Sequence, residues 1–425
     1  MNDNDDYNIL LNNSKFSTTL LPNEIFNEDF DINISNLDYC NFFNSYAFDA
    51  SKFDVEYYKK HYLNNEEKCN PIKHYLTEGV KKGFNPNPFF DTSWYLNENP
   101  DVKNANINPF IHYIEYGIYE GRLPKLLSWD EFFKGLKNLK STLKGRENYL
   151  FLVNDSNNEI LQHFDKNYKN VFDSKLFLDD LHFKKKILSK NNMDYHFFII
   201  PDKSIICKDF LPFKFNEIKR NCDSIKEIVD FSNLLNHYHY FKYDSHMNYE
   251  GGKLLTFKFL NHINKDFSLE DYENLFINKK DKYCHEKYDL LSPFNWSYSP
   301  LERFVFPREG NEYSIVPMNL KNLNEKIPNN FLTVHNRESF YYKNDNSFSD
   351  LRVLIFRDSS FDYLKWYFSF YFKEMFLYWD HGNFNKELIE WYKPDLILEI
   401  RIERFLENIP RPSWIINKEE LNIDD

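Results

Sequence analysis

The chain has 425 residues, 42% of them hydrophobic and 19% aromatic, with 43 Phe and 30 Tyr. That is more than one small core needs, so two or three folding units are expected. A formal net charge of −12, with no segment where Lys and Arg concentrate, argues against nucleic acid as a partner.

Cys40, Cys69, Cys207, Cys222 and Cys284 are scattered and form no Cys-x-x-Cys pair, so they read as reduced thiols rather than a metal or redox motif. The start, Met1-Asn2-Asp3-Asn4-Asp5-Asp6-Tyr7, is acidic where a secretory signal is basic and then apolar, and no run approaches the roughly 20 apolar residues of a membrane helix. These features point to a soluble, cytoplasmic chain, with association to a membrane partner left open.

Residues 1–48 are rich in Asn and Asp and read as a loosely ordered leader. From Phe53 the sequence repeats. Asn70-Pro71-Ile72-Lys73-His74-Tyr75-Leu76 returns 38 residues later as Asn108-Pro109-Phe110-Ile111-His112-Tyr113-Ile114, and Gly79, Gly83 and Pro86 return as Gly117, Gly121 and Pro124. Each unit is expected to be a helical hairpin: Asn at the N-cap, Pro at the first helical position, an apolar stripe, then Gly where the helix ends left-handed. One unit cannot bury its own apolar face, so two tandem α-helical repeats are expected over 49–126. His74 and His112, each isolated, read as packing residues rather than metal ligands.

The second unit, Phe90-Asp91-Thr92-Ser93-Trp94-Tyr95-Leu96 with Asn99-Pro100-Asp101-Val102 and Glu120-Gly121-Arg122, resembles a repeat attached to bacterial glycan-modifying proteins. The resemblance implies a glycan-assembly neighbourhood, with another protein of that assembly as a candidate partner of the repeats.

Apolar positions at Trp129, Phe132, Phe133, Leu136, Leu139 and Leu143 predict a connecting helix within 127–146. Beyond it, Tyr149–Val153, Phe197–Ile200, Leu351–Phe356, Met375–Trp379 and Leu396–Ile400 suit buried strands with helical patterns between them, so 147–425 is expected to be an α/β domain.

Leu351–Phe356 reads as a strand, Arg357-Asp358-Ser359-Ser360 as a turn, and Phe361 onward as an amphipathic helix. Ser359 therefore falls at a strand-to-helix corner, where backbone N–H groups can meet a developing oxyanion. On this feature alone an N-cap is the commoner explanation, because Asp and Ser both satisfy free amide donors at helix starts. A serine hydroxyl is a weak nucleophile until a base takes its proton, so the functional reading needs a histidine. Asp244-Ser245-His246 supplies a base with a carboxylate two residues before it. In extended chain the two side chains share a face, so Asp244 can orient His246. A rival arrangement sets His237, His239, Asp244 and His246 around a divalent metal. It leaves the Ser359 corner unexplained, and the expectation is a site with no metal and no cofactor.

Four separated blocks carry a family resemblance: Ile199-Ile200-Pro201-Asp202-Lys203-Ser204; Tyr243-Asp244-Ser245-His246-Met247-Asn248 with Gly251; Phe356-Arg357-Asp358-Ser359; and Tyr392-Lys393-Pro394-Asp395 with Glu403-Arg404-Phe405-Leu406. In this order they resemble alginate O-acetyltransferase-like proteins over residues 147–409. The resemblance implies an SGNH-hydrolase-like three-layer α/β/α fold with Ser359 as nucleophile, His246 as base and Asp244 as its orienting acid. Ser360 is the weaker nucleophile candidate.

The family's Asp-x-His block usually continues with Trp where this chain has Met247, and Arg357, as in some relatives of the alginate enzymes, stands where many SGNH enzymes have Gly. Arg357 either neutralises an anionic sugar or acyl donor or covers the helix beside Asp358. Asn248 either lends an amide to the oxyanion or caps the following helix. The implied activity is O-acyl transfer, acetyl being the group, from an acyl donor or acyl-donating membrane partner to a sugar or polysaccharide hydroxyl. A carbohydrate esterase with the same triad and a non-catalytic glycan- or partner-binding scaffold are the alternatives.

Overall fold

A computed structural model describes residues 49–64, 69–118, 120–136, 139, 141–283, 313–334, 337–379 and 384–408. The expected leader over 1–48 lies outside them, as do His335 and His381, two further histidines that lack a carboxylate at the spacing of Asp244 and His246. The described residues fall into two compact units. The first takes those up to Tyr149 plus Phe210–Phe215, and the second takes those within Leu150–Asp209, Asn216–Ser292 and Phe306–Asp425.

In the first unit the same local chemistry occurs twice. Asn70 accepts from the Lys73 N–H at 3.1 Å, and Asn108 accepts from those of Phe110 and Ile111 at 3.0 and 3.2 Å, each ahead of a Pro that opens a short helix. Both helices then widen to a π turn, Tyr75–Gly79 and Tyr113–Gly117. Tyr58 Oη lies 3.0 Å from His74 Nδ1, and Tyr95 Oη 3.0 Å from His112 Nδ1, so each imidazole is held by a tyrosine 16 or 17 residues before it, from an earlier helix.

The glycines divide their labour differently from the expectation. Only Gly83 (φ 71°) and Gly121 (φ 65°) turn left-handed. Gly79 and Gly117 stay helical and are required by close approach, since a Cβ there would stand 2.1 Å from Tyr58 Oη and 2.3 Å from Tyr95 Oη. The predicted connecting helix is also shorter. It runs from Trp129 to Leu136, and Thr142–Lys144 is extended.

The second unit is α/β, built on a mixed six-stranded sheet. We label its elements α1 (Ser174–Lys190), β1 (Asp194–Ile200), α2 (Tyr249–Ile263), β2 (Lys321–Asn322), β3 (Phe340–Lys343), β4 (Ser349–Arg357), α3 (Lys365–Tyr371), β5 (Phe372–Trp379), α4 (Lys386–Tyr392) and β6 (Leu396–Ile402). The order across the sheet is β1-β6-β4-β5-β3-β2. The first four are parallel, and β3 and β2 complete one side antiparallel.

Burial of parallel strands on both faces explains their continuous apolar runs. On one face Phe197, Leu354, Phe356, Phe376 and Ile397 pack with Leu181 and Leu188 of α1 and Leu388 of α4. On the other, Phe198 stacks on Phe259 of α2 with centroids 4.2 Å apart. Two charges, Glu399 and Arg401, interrupt the inner strand β6. Glu399, fully buried, meets Lys184 of α1 at 2.8 Å, and that ammonium also holds Asp180 at 2.9 Å. Burial disfavours the ammonium, but the two carboxylates outweigh it and raise the Lys184 pKa.

His196 of β1 faces His262 of α2, rings 5.4 Å apart, with Lys185 and Lys265 beside them and Asp194 the nearby acid. Burial first, then the neighbouring positive charges, pushes His196 down to about 4. The unfolded chain, with an ordinary value near 6.5, takes up this proton first. Stability is therefore expected to fall as pH drops from about 6.5 to about 4 and to level off below. Solvent screening of this half-buried pair holds the effect to on the order of 1–2 kcal/mol. Urea midpoints at pH 4.5 and 7 should differ more in the wild type than in His196→Phe, and an equal drop in both would remove His196 as the cause.

Candidate active site

The parallel strands β1, β6 and β4 deliver their carboxyl ends to one edge of the sheet, where open α/β folds place their sites. Asp358, 1% exposed, turns the chain out of β4. Its Oδ1 accepts the Ser360 N–H at 2.8 Å and its Oδ2 accepts the Ile402 N–H, also at 2.8 Å, tying the corner to the end of β6. Asp358, rather than a serine, is thus the N-cap. Ser359 is left half-buried at the start of a 3₁₀ turn through Tyr363, with its own N–H unpartnered among the described residues. The predicted helix from Phe361 begins only at Lys365. Ser360 is buried with its hydroxyl unpartnered, and of the two serines it is Ser359 that meets His246.

His246 arrives from 113 residues earlier in the chain. Its Nε2 lies 3.0 Å from Ser359 Oγ and its Nδ1 2.7 Å from Asp244 Oδ1. An ionised carboxylate only accepts, so in the neutral imidazole Nδ1 carries the proton and Nε2 is left to accept from the Ser359 hydroxyl. The same Asp244 oxygen accepts the His246 backbone N–H at 3.0 Å, a local turn that locks the two residues together. Asp244 is 1% exposed, and Tyr363 covers the imidazole with its ring 5.2 Å away.

Two adjacent glycines permit this approach. A Cβ on Gly252 would stand 2.2 Å from the Tyr363 carbonyl oxygen, and one on Gly251 2.5 Å from that of His239. Gly252→Ala must therefore push α2 away from the Ser359 turn. It is expected to slow fluorophosphonate labelling of Ser359 by about 10- to 100-fold, and a labelling rate equal to wild type would show that the turn can yield.

Asn248 and Arg357 are engaged inside the protein. Asn248, fully buried, caps α2 by accepting from Glu250 and Gly251 at 3.1 Å each and donates to the Tyr238 carbonyl at 2.7 Å. Capping is the role its geometry serves. Arg357 is 2% exposed, donates to Asp362 at 3.1 Å and to the Asp358 carbonyl at 3.3 Å, and lies 5.0 Å from the Trp379 ring. Burial alone would raise the Asp362 pKa, but Arg357 and then Lys365 outweigh it and hold it low. In this conformation Arg357 covers the turn. His239 uses Nδ1 to accept the Asn236 N–H at 3.0 Å and sits in a 3₁₀ turn, His237–His239. Among the described residues no group of three His, Cys, Asp or Glu side chains has a metal-binding arrangement.

Behind the site lies a buried ionic network that spacing did not reveal. Asp202, just after β1, accepts from His163 Nε2 at 2.9 Å and from the Arg404 N–H at 2.9 Å, and also pairs with the Arg404 guanidinium. Burial disfavours the charged imidazole, but Asp202 prevails and raises His163 to about 9. With Nδ1 donating to the Lys219 carbonyl at 2.8 Å, this His is a doubly donating imidazolium. Glu403 takes Arg220 in a fork at 2.6–3.1 Å. The charges after β6, Glu403 and Arg404, are thus engaged in salt bridges at the strand end. Glu159 and His163 gave no signal at all, and Lys203 stood in a quoted motif without a role.

No family model matches the chain, and no curated protein matches it. Among solved structures it is similar to Bacillus cereus PatB1 with a sulfonyl adduct, over 63% of this chain and 96% of that one, at 14% identity and a TM-score of 0.42. The O-acetyltransferase domain of Pseudomonas putida AlgJ is similar over 66% and 97% at 10% identity and a TM-score of 0.39. Pseudomonas aeruginosa AlgX is similar over 62% of each chain at 9% identity and 0.36. Among the described residues no helix is long and apolar enough to cross a membrane.

Proposed function

We propose that the second unit is an SGNH-like serine O-acyltransferase that moves an acetyl group to a sugar or polysaccharide hydroxyl, and that the repeats of the first unit serve its glycan-assembly setting. The observation that carries the reading is the continuous chain Asp244 Oδ1 to His246 Nδ1 at 2.7 Å and His246 Nε2 to Ser359 Oγ at 3.0 Å, at the carboxyl edge of a parallel sheet. Nothing structural requires a half-buried serine to meet a carboxylate-backed imidazole. An activated nucleophile does.

His246 Nε2 takes the hydroxyl proton as Ser359 Oγ forms its bond to the acyl carbon, and the carbonyl electrons move onto oxygen beside the Ser359 N–H. Collapse of that intermediate breaks the bond to the donor's leaving group, which takes the proton from His246. A sugar hydroxyl then gives its proton to Nε2 and attacks the acyl-serine, and the proton returns to Ser359 Oγ on release. Asp244 stays ionised throughout and stabilises the imidazolium.

The test is intact-mass analysis after p-nitrophenyl acetate: one acetyl gained, mapped to the peptide holding Ser359, and drained faster when a sugar acceptor is added. A protein that never acquires the acetyl group, or loses it at one rate whatever the acceptor, would overturn the transferase reading.

A further inference from the structure

Lys203, the first residue of a short turn of helix after β1, is 2% exposed. Its ammonium donates to the carbonyl oxygens of Leu150 at 2.6 Å, Lys242 at 3.0 Å and Asp244 at 2.9 Å, with the Phe151 ring 5.4 Å away. A primary amine donates three hydrogen bonds only when protonated, so a cation is held in a cage of backbone oxygens. The segment it grips is the one that carries the acid. Leu150 N–H also bonds the Lys242 carbonyl at 2.9 Å, and Tyr240 Oη bonds that of Pro201 at 2.6 Å, so residues 240–244 are sewn to the turn after β1.

We propose that Lys203 is a positioning residue for the Ser359 nucleophile, acting through the main chain of Asp244; the proposal rests on the acyl-serine reading. By clamping the Asp244 carbonyl, the ammonium fixes the backbone from which the carboxylate reaches both the N–H and the Nδ1 of His246. A loosened Asp244 leaves the imidazole free to rotate or to change tautomer, and Ser359 loses its base without any contact of its own being touched.

A buried lysine also contributes to stability in general, so the control is the other one. Lys184 is equally buried but holds Asp180 and Glu399. Two readouts separate the roles: the fluorophosphonate labelling rate of Ser359, and the downfield proton resonance of a histidine Nδ1–H bonded to a carboxylate.

Lys203→Met is expected to slow labelling by about 10- to 100-fold, to shift or broaden that resonance, and to add no further slowing in an Asp244→Ala background. Lys184→Met is expected to leave both readouts in place while it remains folded. Should Lys203→Met not fold, Lys203→Gln, which keeps an N–H donor without the charge, gives the same pattern with a smaller slowing. Labelling at the wild-type rate, equal slowing in the Asp244→Ala background, or the same spectral change from Lys184→Met would overturn the proposal. If wild-type Ser359 does not label at all, the acyl-serine reading fails, while the resonance still reports whether Lys203 controls the Asp244–His246 pair.

Discussion

Ser359→Ala is expected to lower the hydrolysis of p-nitrophenyl acetate by about 10⁴-fold or more, and His246→Ala to lower it comparably. The double variant should be no worse than either single one, because nucleophile and base act as a unit: a serine without its base, or a base without its serine, does no chemistry. Asp244→Asn is expected to cost about 10²- to 10⁴-fold for a different reason. An amide donor facing Nδ1 favours the tautomer that places the proton on Nε2, where it can no longer accept from Ser359 Oγ. The rates should be indifferent to chelator. Additive losses, or a Ser359→Ala protein that hydrolyses like wild type, would remove the triad assignment.

The parts of this site legible in the sequence are those written in short windows. A strand, a turn and a serine lie within ten residues of Arg352, and an acid two residues before a histidine is visible in a triplet. That the two windows meet, 113 residues apart, depends on β4 ending beside the loop that opens α2 and on Gly252 allowing that loop to close in. Sequence order suggested the pairing but could not place it. The antiparallel strands β2 and β3 were missed because Lys321-Asn322 and Phe340–Lys343 are too short to display a period of two.

The role of Lys203 was unreadable for a deeper reason: its three acceptors are carbonyl oxygens, and a backbone acceptor leaves no trace in residue identity. The glycines show the same limit. Gly79 and Gly83 look alike in the repeat, yet one is there to admit a tyrosine hydroxyl and the other to turn left-handed.

Arg404→Met is expected to be the most damaging change away from the reacting groups. Arg404 is 6% exposed, pairs with Asp202 and, at 3.3 Å, with Glu159, and both carboxylates are buried. Removing the cation strands two acids that His163 alone cannot balance, at a cost of about 3–5 kcal/mol.

The pH dependence identifies the cause. Burial, then the Asp202 charge, already raises Glu159 to about 7 despite Arg404. A folded-state value above the unfolded one means a proton held more tightly by the native protein. The stability linked to it is present below about pH 4.5 and is lost as pH rises toward 7. Without Arg404 the Glu159 value rises further, so the variant should be weakest near neutral pH and recover part of its loss at pH 5. Arg404→Met combined with Glu159→Gln should recover part of it at any pH. Urea unfolding at pH 5 and 7.5 decides the matter: a loss of equal size at both would mean that Arg404 acts through packing, including its stack on Phe405, rather than through the two acids it holds.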